Sequence, residues 1–209
     1  VRPARSRAGM TGTRVPDGTG PAAGPPAFHL LAKPTGAVCN LDCSYCFFLS
    51  KEMLYPGSRF RMADELLDRY LRQLIEAHAT VPEVAIAWQG GEPTMMGLDF
   101  FRRSVELANQ YLQPGQRAAY TIQTNGTLLD DAKRRFILDA GIAVTASVDG
   151  PPEVHDAGRR RPDGRGSYAE AMERLRPLLL ARPTPARATL TRRFLDVEAI
   201  VDHLLSADD

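Results

Sequence analysis

Short apolar stretches alternate with amphipathic stretches of helical period from residue 28 to the end of the chain. The predicted strands cover residues 28–33, 83–88, 118–124, 142–148 and 186–191. The predicted helices cover residues 62–79, 98–112, 130–141, 167–181 and 195–207. Strand alternating with helix in this way predicts an α/β fold with parallel strands and right-handed crossovers.

The helix predicted over 62–79 has the clearest amphipathic pattern. One helical face collects its apolar side chains, which are Leu66, Leu67, Tyr70, Leu71, Leu74 and Ile75. The stretch 149–166 is predicted as a loop. Pro177 is a candidate kink in the helix predicted over 167–181.

Two architectures are compatible with this alternation, an open doubly wound sheet and a βα barrel. Both place their ligands at the carboxyl ends of the strands. The unusual stretches of this chain follow the predicted strands: a cysteine-containing segment after the first, Gly-Gly-Glu-Pro after the second, Gln-Thr-Asn-Gly at the third and Ser-Val-Asp-Gly at the fourth. We therefore expect them to meet at one rim.

Composition narrows the possible partners and compartment. The 209 residues are 44% hydrophobic and 24% charged with a formal net charge of +1, which argues against broad electrostatic binding to nucleic acid or anionic membrane. Residues 1–27 lack the apolar segment of a secretory signal and are predicted to be a disordered leader before one domain, 28–209. Without a secretory signal or an even set of cysteines, a reducing cytoplasm is the expected location.

The cysteines lie together in the segment after the first strand, at Cys39, Cys43 and Cys46. An odd set of three is compatible with buried small hydrophobes, with a disulfide plus one free thiol, or with a zinc site completed by His78 or His155. Three thiolates on a short loop can also hold three corners of an iron–sulfur cluster and leave one iron open.

The C-x3-C-x2-C spacing, with Tyr45 between the last two cysteines, resembles the signature of the radical SAM superfamily. The resemblance implies a partial (β/α)6 TIM-like barrel with this loop after its first strand. It also implies that Cys39, Cys43 and Cys46 bind a 4Fe–4S cluster whose fourth iron binds S-adenosylmethionine. Reduction of such a cluster cleaves S-adenosylmethionine to a 5'-deoxyadenosyl radical.

Further motifs extend the resemblance and imply the cofactor-binding residues. Gly-Gly-Glu-Pro matches the family motif at the methionyl amine, which implicates Gly91 and Glu92, and Tyr45 is implied as a further cofactor-binding residue. Ser147 lies at the terminus of the fourth predicted strand, where its hydroxyl can meet a ribose or carboxylate. The pattern His-Asp-x-x-Arg at 155–159 resembles a family stretch in which the arginine, here Arg159, contacts the carboxylate of S-adenosylmethionine.

Within the superfamily, the motifs are most similar to the anaerobic sulfatase-maturating enzymes, of the subgroup with a C-terminal SPASM domain. These oxidise a sulfatase Cys or Ser to Cα-formylglycine. Maturases of ribosomally made peptides, which install thioether or carbon–carbon crosslinks, are an alternative. The resemblance implies a sulfatase or precursor peptide as substrate and a reduced flavodoxin or ferredoxin-like protein as electron donor.

The chain departs from the pattern of the sulfatase-maturating enzymes in two ways. No cysteine follows Cys46, although a SPASM domain needs several, and the family's general base is expected beyond residue 209. We interpret the chain as the N-terminal radical SAM portion of a longer protein, with the barrel truncated before its last units. A zinc-stabilised α/β binding module and a catalytically inactive fragment remain the competing hypotheses.

Overall fold

The computed structural model describes residues 27–48, 53–192, 194 and 196–206. The predicted leader lies outside the described residues except for Ala27. Within the described ranges, no helix combines the length and hydropathy needed to cross a membrane.

One parallel sheet of five strands organises the domain. The strands are β1 (Leu31–Ala32), β2 (Glu83–Trp88), β3 (Arg117–Thr124), β4 (Ala143–Ser147) and β5 (Ala186–Arg187). Their spatial order is the same as their order in sequence, and every neighbouring pair is parallel. A doubly wound sheet reverses direction at a switch point, whereas a βα barrel adds each strand to the same side. The order therefore confirms the α/β class and selects the partial barrel.

Six α-helices cover the sheet in the described part of the chain. They are α1 (Asp64–Ala77), α2 (Leu98–Tyr111), α3 (Asp131–Asp139), α4 (Pro152–Gly158), α5 (Tyr168–Ala181) and α6 (Val197–Ser206). A short 3₁₀ helix, Pro93–Met96, interrupts the loop after β2. The interior strands and their helices match the predicted elements to within about two residues, a difference typical of helix ends.

Three predictions about elements were wrong. The stretch 149–166 is not all loop, because α4 begins at Pro152, where the missing N–H of a proline costs no helical hydrogen bond. The strands predicted over 28–33 and 186–191 shrink to two residues each. Both lie at the ends of the described sheet and pair with one neighbour only, so little holds their outer residues in register.

The core lies between the sheet and its helices. On α1 the buried residues are Leu67, Leu71, Leu74 and Ile75. Leu66 is 51% exposed, which corrects its predicted place on the buried face, since it precedes Leu67 by about 100° around the helix. Trp88, 1% exposed, packs against Phe100 of α2 with ring centroids 5.3 Å apart. This packing fixes the end of β2, from which the Gly-Gly-Glu-Pro stretch departs.

Candidate functional site

A cavity of about 330 Å³ opens at the carboxyl ends of the strands. Residues at the carboxyl ends of the five strands or in the segments that follow them line it, namely Cys39, Leu41, Cys43, Tyr45, Cys46, Phe47, Phe48, Gln89, Gly90, Gly91, Glu92, Gln123, Thr124, Asn125, Ser147, Arg159, Arg187 and Thr189. The structure thus brings all eight predicted site residues to one cavity. Its volume is typical of a cofactor or substrate site, and polar side chains make up most of its lining.

The cysteine loop, residues 34–48, is held along its first half by the Gly-Gly-Glu-Pro stretch. The Gly91 N–H donates to the Gly36 carbonyl at 2.9 Å and the Glu92 N–H to the Val38 carbonyl at 3.0 Å. A Cβ atom on Gly91 would lie 1.9 Å from the Val38 carbonyl oxygen. Glycine is required there because the two backbone segments are in direct contact. A structural role of the Gly-Gly-Glu-Pro motif is therefore to support the cysteine loop.

Glu92 is buried to 1% exposure and its carboxylate is surrounded by donors. It accepts hydrogen bonds from the Thr94 N–H (3.0 Å), the Thr94 hydroxyl (2.6 Å), the Thr124 hydroxyl (2.8 Å) and the Asn125 N–H (2.8 Å). Burial raises the pKa of Glu92, and these four hydrogen bonds oppose that rise. The carboxylate joins the loops after β2 and β3, and its contact with a methionyl amine stays a prediction.

The second half of the cysteine loop is held by the end of α4 and the residues after it. The Asp42 N–H donates to the Arg160 carbonyl at 2.7 Å and the Ser44 N–H to the Gly158 carbonyl at 2.9 Å. The Tyr45 ring lies so close to Gly158 that a Cβ there would be 2.6 Å from Cε1 of the ring. The loop between the outer cysteines is therefore fixed from two sides of the barrel.

All three cysteines are free and partly buried at the cavity wall. Burial raises the pKa of Cys39 to about 11 and that of Cys43 to about 12. Metal ligation requires thiolates, so these thiols would release protons on binding a metal centre. A disulfide among them is not formed, and their place on the cavity wall argues against a packing role alone.

The two histidines considered for a zinc site are engaged elsewhere. His78 Nδ1 bonds the Leu74 carbonyl at 2.7 Å, and its Nε2 bonds the backbone of Phe28. His155 lies between the Ser167 hydroxyl and the Asp149 N–H. Both nitrogens of each ring are thus committed, so neither histidine completes a zinc site on the cysteine loop.

The three thiols can be compared with the ligand set of a single metal ion. In the described part of the chain no three His, Cys, Asp or Glu side chains gather closely enough to hold one metal ion. Thiolates that share one zinc lie roughly 4 Å apart, because each is about 2.3 Å from the metal. Thiolates that each bind a different iron of a cluster lie further apart. Three thiols around one cavity are a donor set that can hold three irons of a cluster.

Arg159 and Asp149 form a buried ion pair at the cavity edge. The Arg159 Nε and Nη2 groups donate to the two Asp149 carboxylate oxygens, each at 2.9 Å. The Tyr45 hydroxyl donates to the same carboxylate, and burial raises the pKa of Tyr45. The Thr189 N–H donates to it at 2.8 Å. Asp149 thus ties the cysteine loop, α4 and the residues after β5 together, a role that motif reading did not assign.

Ser147 and two glutamines continue the polar wall of the cavity. Gln89 donates to Gln123, and Gln123 donates to the Ser147 hydroxyl at 3.5 Å, so the chain of hydrogen bonds crosses the carboxyl ends of β2, β3 and β4. Sequence reasoning did not single out Gln89 or Gln123. Their positions at predicted strand ends were the signal, since such residues face the ligand side of a barrel.

His155 predicts a pH dependence of stability. It is 1% exposed, and burial together with the nearby Arg159 charge lowers its pKa to about 4, from 6.5. Between these pH values the unfolded chain binds a proton at His155 that the folded chain does not. The contribution of neutral His155 to folding stability is therefore fully present above pH 6.5 and is lost as the pH falls towards 4. The loss expected from this group is about 3 kcal/mol.

Urea unfolding at pH 7, 6, 5 and 4.5 would measure this loss. His155→Gln is expected to flatten the pH dependence relative to the wild type. His29→Gln is the matched control, since the His29 side chain is exposed. An equal change in the free energy of unfolding with pH for the wild type and His155→Gln would contradict the prediction.

Comparisons with known proteins agree with this geometry. The family model of the radical SAM superfamily matches residues 34–180. The chain is 39% identical over 146 residues to a serine-type anaerobic sulfatase-maturating enzyme of Bacteroides thetaiotaomicron, covering 69% of this chain and 35% of that protein. It is 36% identical over 137 residues to a cysteine-type anaerobic sulfatase-maturating enzyme of Clostridium perfringens, covering 65% and 36%.

The fold is similar to that of solved structures. Native anSMEcpe with bound AdoMet and Kp18Cys peptide superposes with a TM-score of 0.75 at 29% identity, covering 86% of this chain and 48% of that one. Native anSMEcpe with bound AdoMet gives a TM-score of 0.74. The chain therefore spans about a third of the length of these curated relatives and about half of the solved structures.

Proposed function

The chain belongs to the radical SAM superfamily, and we propose that it binds a 4Fe–4S cluster through Cys39, Cys43 and Cys46 with S-adenosylmethionine beside it. When bound, the cluster would supply the electron that cleaves S-adenosylmethionine to a 5'-deoxyadenosyl radical. One observation carries the proposal: the three thiols line a single cavity at the carboxyl edge of a parallel partial barrel, together with Ser147 and Arg159.

The protein's own residues hold and shield this chemistry. The backbone of Gly91 and Glu92 holds the cysteine loop in place. Arg159, paired with Asp149, brings a guanidinium to the cavity wall, where its unpaired N–H groups can bind the carboxylate of S-adenosylmethionine. The neighbouring Ser147 hydroxyl can bind the same carboxylate or a ribose hydroxyl. Phe47 and Phe48 contribute two aromatic rings to the lining of the same cavity.

For the substrate we propose a protein or peptide, with a sulfatase Cys or Ser oxidised to Cα-formylglycine by the whole protein. The names of the relatives support this class, as does the Kp18Cys peptide bound to anSMEcpe. The serine-type and cysteine-type relatives match at nearly the same identity, so the residue oxidised is not distinguished. We further propose a reduced flavodoxin or ferredoxin-like electron donor and a reducing cytoplasm, which would keep the three thiols reduced.

Anaerobic reconstitution of the 209-residue chain with iron and sulfide tests the proposal. We expect about four irons and four sulfides per chain, brown colour from thiolate-to-iron absorbance, and 5'-deoxyadenosine on addition of S-adenosylmethionine and dithionite. Recovery of about one zinc per chain, with no iron, would support the zinc-stabilised module instead. Iron binding without S-adenosylmethionine cleavage would support the inactive fragment.

Arg159 gives a sharper test of the S-adenosylmethionine site. Arg159→Lys keeps the charge but loses the planar fork, so we expect the affinity of the reconstituted protein for S-adenosylmethionine to fall about tenfold or more, with iron content unchanged. Equilibrium dialysis would measure it. Arg159→Ala is less suitable, because it leaves Asp149 buried without its cation and is expected to cost about 3–5 kcal/mol of folding stability.

Arg160→Ala is the matched control for this measurement. Arg160 is the next residue but is exposed, and its side chain bonds the Asp156 carbonyl at 3.0 Å rather than facing the cavity. Its variant is expected to bind S-adenosylmethionine like the wild type. If Arg159→Lys and Arg160→Ala bound S-adenosylmethionine with equal affinity, Arg159 would not be part of the S-adenosylmethionine site.

A further inference from the structure

Asn125 lies at the end of β3 with its side chain against the cysteine loop. Its Nδ2 is 3.8 Å from Cys39 Sγ and donates to Asn40 Oδ1 at 3.0 Å. Its Oδ1 accepts from the Thr127 N–H at 3.0 Å and from the Thr127 hydroxyl at 2.7 Å. Every polar atom of this amide therefore has a partner, and one of those partners is a cysteine sulfur.

The orientation of the amide follows from its partners. A backbone N–H can only donate, so the atom of Asn125 that faces Thr127 must be the oxygen. The NH₂ group must then face Cys39, and flipping the amide would place two donors against each other. Asn125 is 6% exposed and Thr127 is fully buried.

Cys39 receives a second N–H and the surrounding loop is itself anchored. The Leu41 N–H lies 3.4 Å from Cys39 Sγ. Asn40 Nδ2 donates to the Thr127 hydroxyl at 2.8 Å, which closes a ring of hydrogen bonds around Asn125. The ring joins the cysteine loop to the loop after β3 and holds the amide donor at the sulfur.

We propose that Asn125 tunes the reduction potential of the cluster, by donating an N–H···S hydrogen bond to the Cys39 thiolate. The inference rests on the proposed function, which places the cluster on Cys39. Reduction adds one electron from the donor protein and increases the negative charge on the cluster sulfurs, so an N–H donor stabilises the reduced form more than the oxidised form. Asn125 thereby makes reduction of the cluster easier.

Redox titration of the reconstituted chain with dithionite, followed by electron paramagnetic resonance, tests this role. Asn125→Ala removes the donor, and we expect a more negative midpoint potential and a severalfold lower ratio of reduced to oxidised cluster at a fixed ambient potential. Asn125→Asp keeps the two acceptor contacts to Thr127 but places a carboxylate oxygen at the sulfur. Its potential is expected to be more negative still.

Thr127→Val is the matched control. It removes one hydroxyl from the same hydrogen-bonded ring but keeps the Thr127 backbone N–H, so the Asn125 amide stays oriented and the potential is expected to stay near that of the wild type. Iron content and circular dichroism of each protein are measured first. If Asn125→Ala does not fold, the midpoint potential of Asn125→Asp is compared with that of the wild type, because aspartate has the same shape as asparagine.

The outcomes separate this inference from the proposed function. Full iron content with wild-type potentials in the Asn125 variants overturns the tuning role and leaves the cluster in place. A shift in Thr127→Val as large as that in Asn125→Ala also overturns it, because the effect would then come from the ring and not from the donor. Failure of the wild-type chain to bind iron overturns the proposed function itself.

Discussion

Cys43→Ala is expected to abolish both the iron–sulfur absorbance and the formation of 5'-deoxyadenosine. Cys43 is the middle cysteine of the loop, and its sulfur is one of the three thiols at the cavity wall. A cluster held by three protein ligands has no substitute for a lost one, since both histidines considered as ligands bond elsewhere. The expected loss of 5'-deoxyadenosine is at least a hundredfold, as expected when a bound cofactor is lost rather than a contact weakened.

The measurement compares iron per chain, visible absorbance and 5'-deoxyadenosine after identical anaerobic reconstitution. Ser44→Ala is the control, because Ser44 is the next residue and its side chain is exposed, while its N–H to the Gly158 carbonyl is retained. The apo forms of Cys43→Ala and the wild type should unfold at similar urea concentrations. Full iron content in Cys43→Ala would contradict the assignment of the metal ligands.

Gly91→Ala is expected to have the second-largest effect, on stability and cluster binding together. The added methyl group would lie 1.9 Å from the Val38 carbonyl oxygen and 2.5 Å from its carbon, and both are backbone atoms that cannot rotate away. The cysteine loop must move, and its hydrogen bonds to Gly91 and Glu92 are lost with that movement. We expect a loss of about 3 kcal/mol or more in the free energy of unfolding.

Gly115→Ala separates this clash from the general cost of replacing glycine. Gly115 has a φ of +85°, which strains an alanine by roughly 1–2 kcal/mol, but open space surrounds it. It lies before β3, away from the cavity. We expect Gly115→Ala to lose some stability and keep full iron content, whereas Gly91→Ala loses both. Wild-type iron content in Gly91→Ala would count against the supporting role of the motif.

Local patterns were sufficient to predict most of the barrel. The strand predicted over 83–88 is β2 itself, since a short apolar run bounded by loop residues is a local property of the sequence. The element α4 lies within the stretch predicted as a loop, and it begins at Pro152 because a proline is tolerated in the first turn of a helix. The spatial order of the strands distinguishes a barrel from a doubly wound sheet. This order depends on pairing between strands that are far apart in sequence, so no short stretch of sequence specifies it.

The candidate site was predicted as a set of residues but not as a set of contacts. Motif spacing located the cysteines, Gly91 and Arg159 at strand ends. It did not indicate that Gly91 meets the backbone of Val38, or that Asp149 binds both Arg159 and Tyr45. These contacts join residues from different loops, so they follow from the folded arrangement and not from the order of residues along the chain.

The anchoring of the cysteine loop has a consequence for biosynthesis. Tyr45 and its partner Asp149 are 104 positions apart, and the hydrogen bonds from Asp42 and Ser44 end on carbonyls that are still later in the chain. The cysteines therefore leave the ribosome long before the residues that shape their loop, and contacts of this separation form late because the intervening chain must first be ordered. A cluster would find its binding loop assembled only after most of this domain had been synthesised, so cluster insertion is expected to follow folding of the barrel rather than to initiate it.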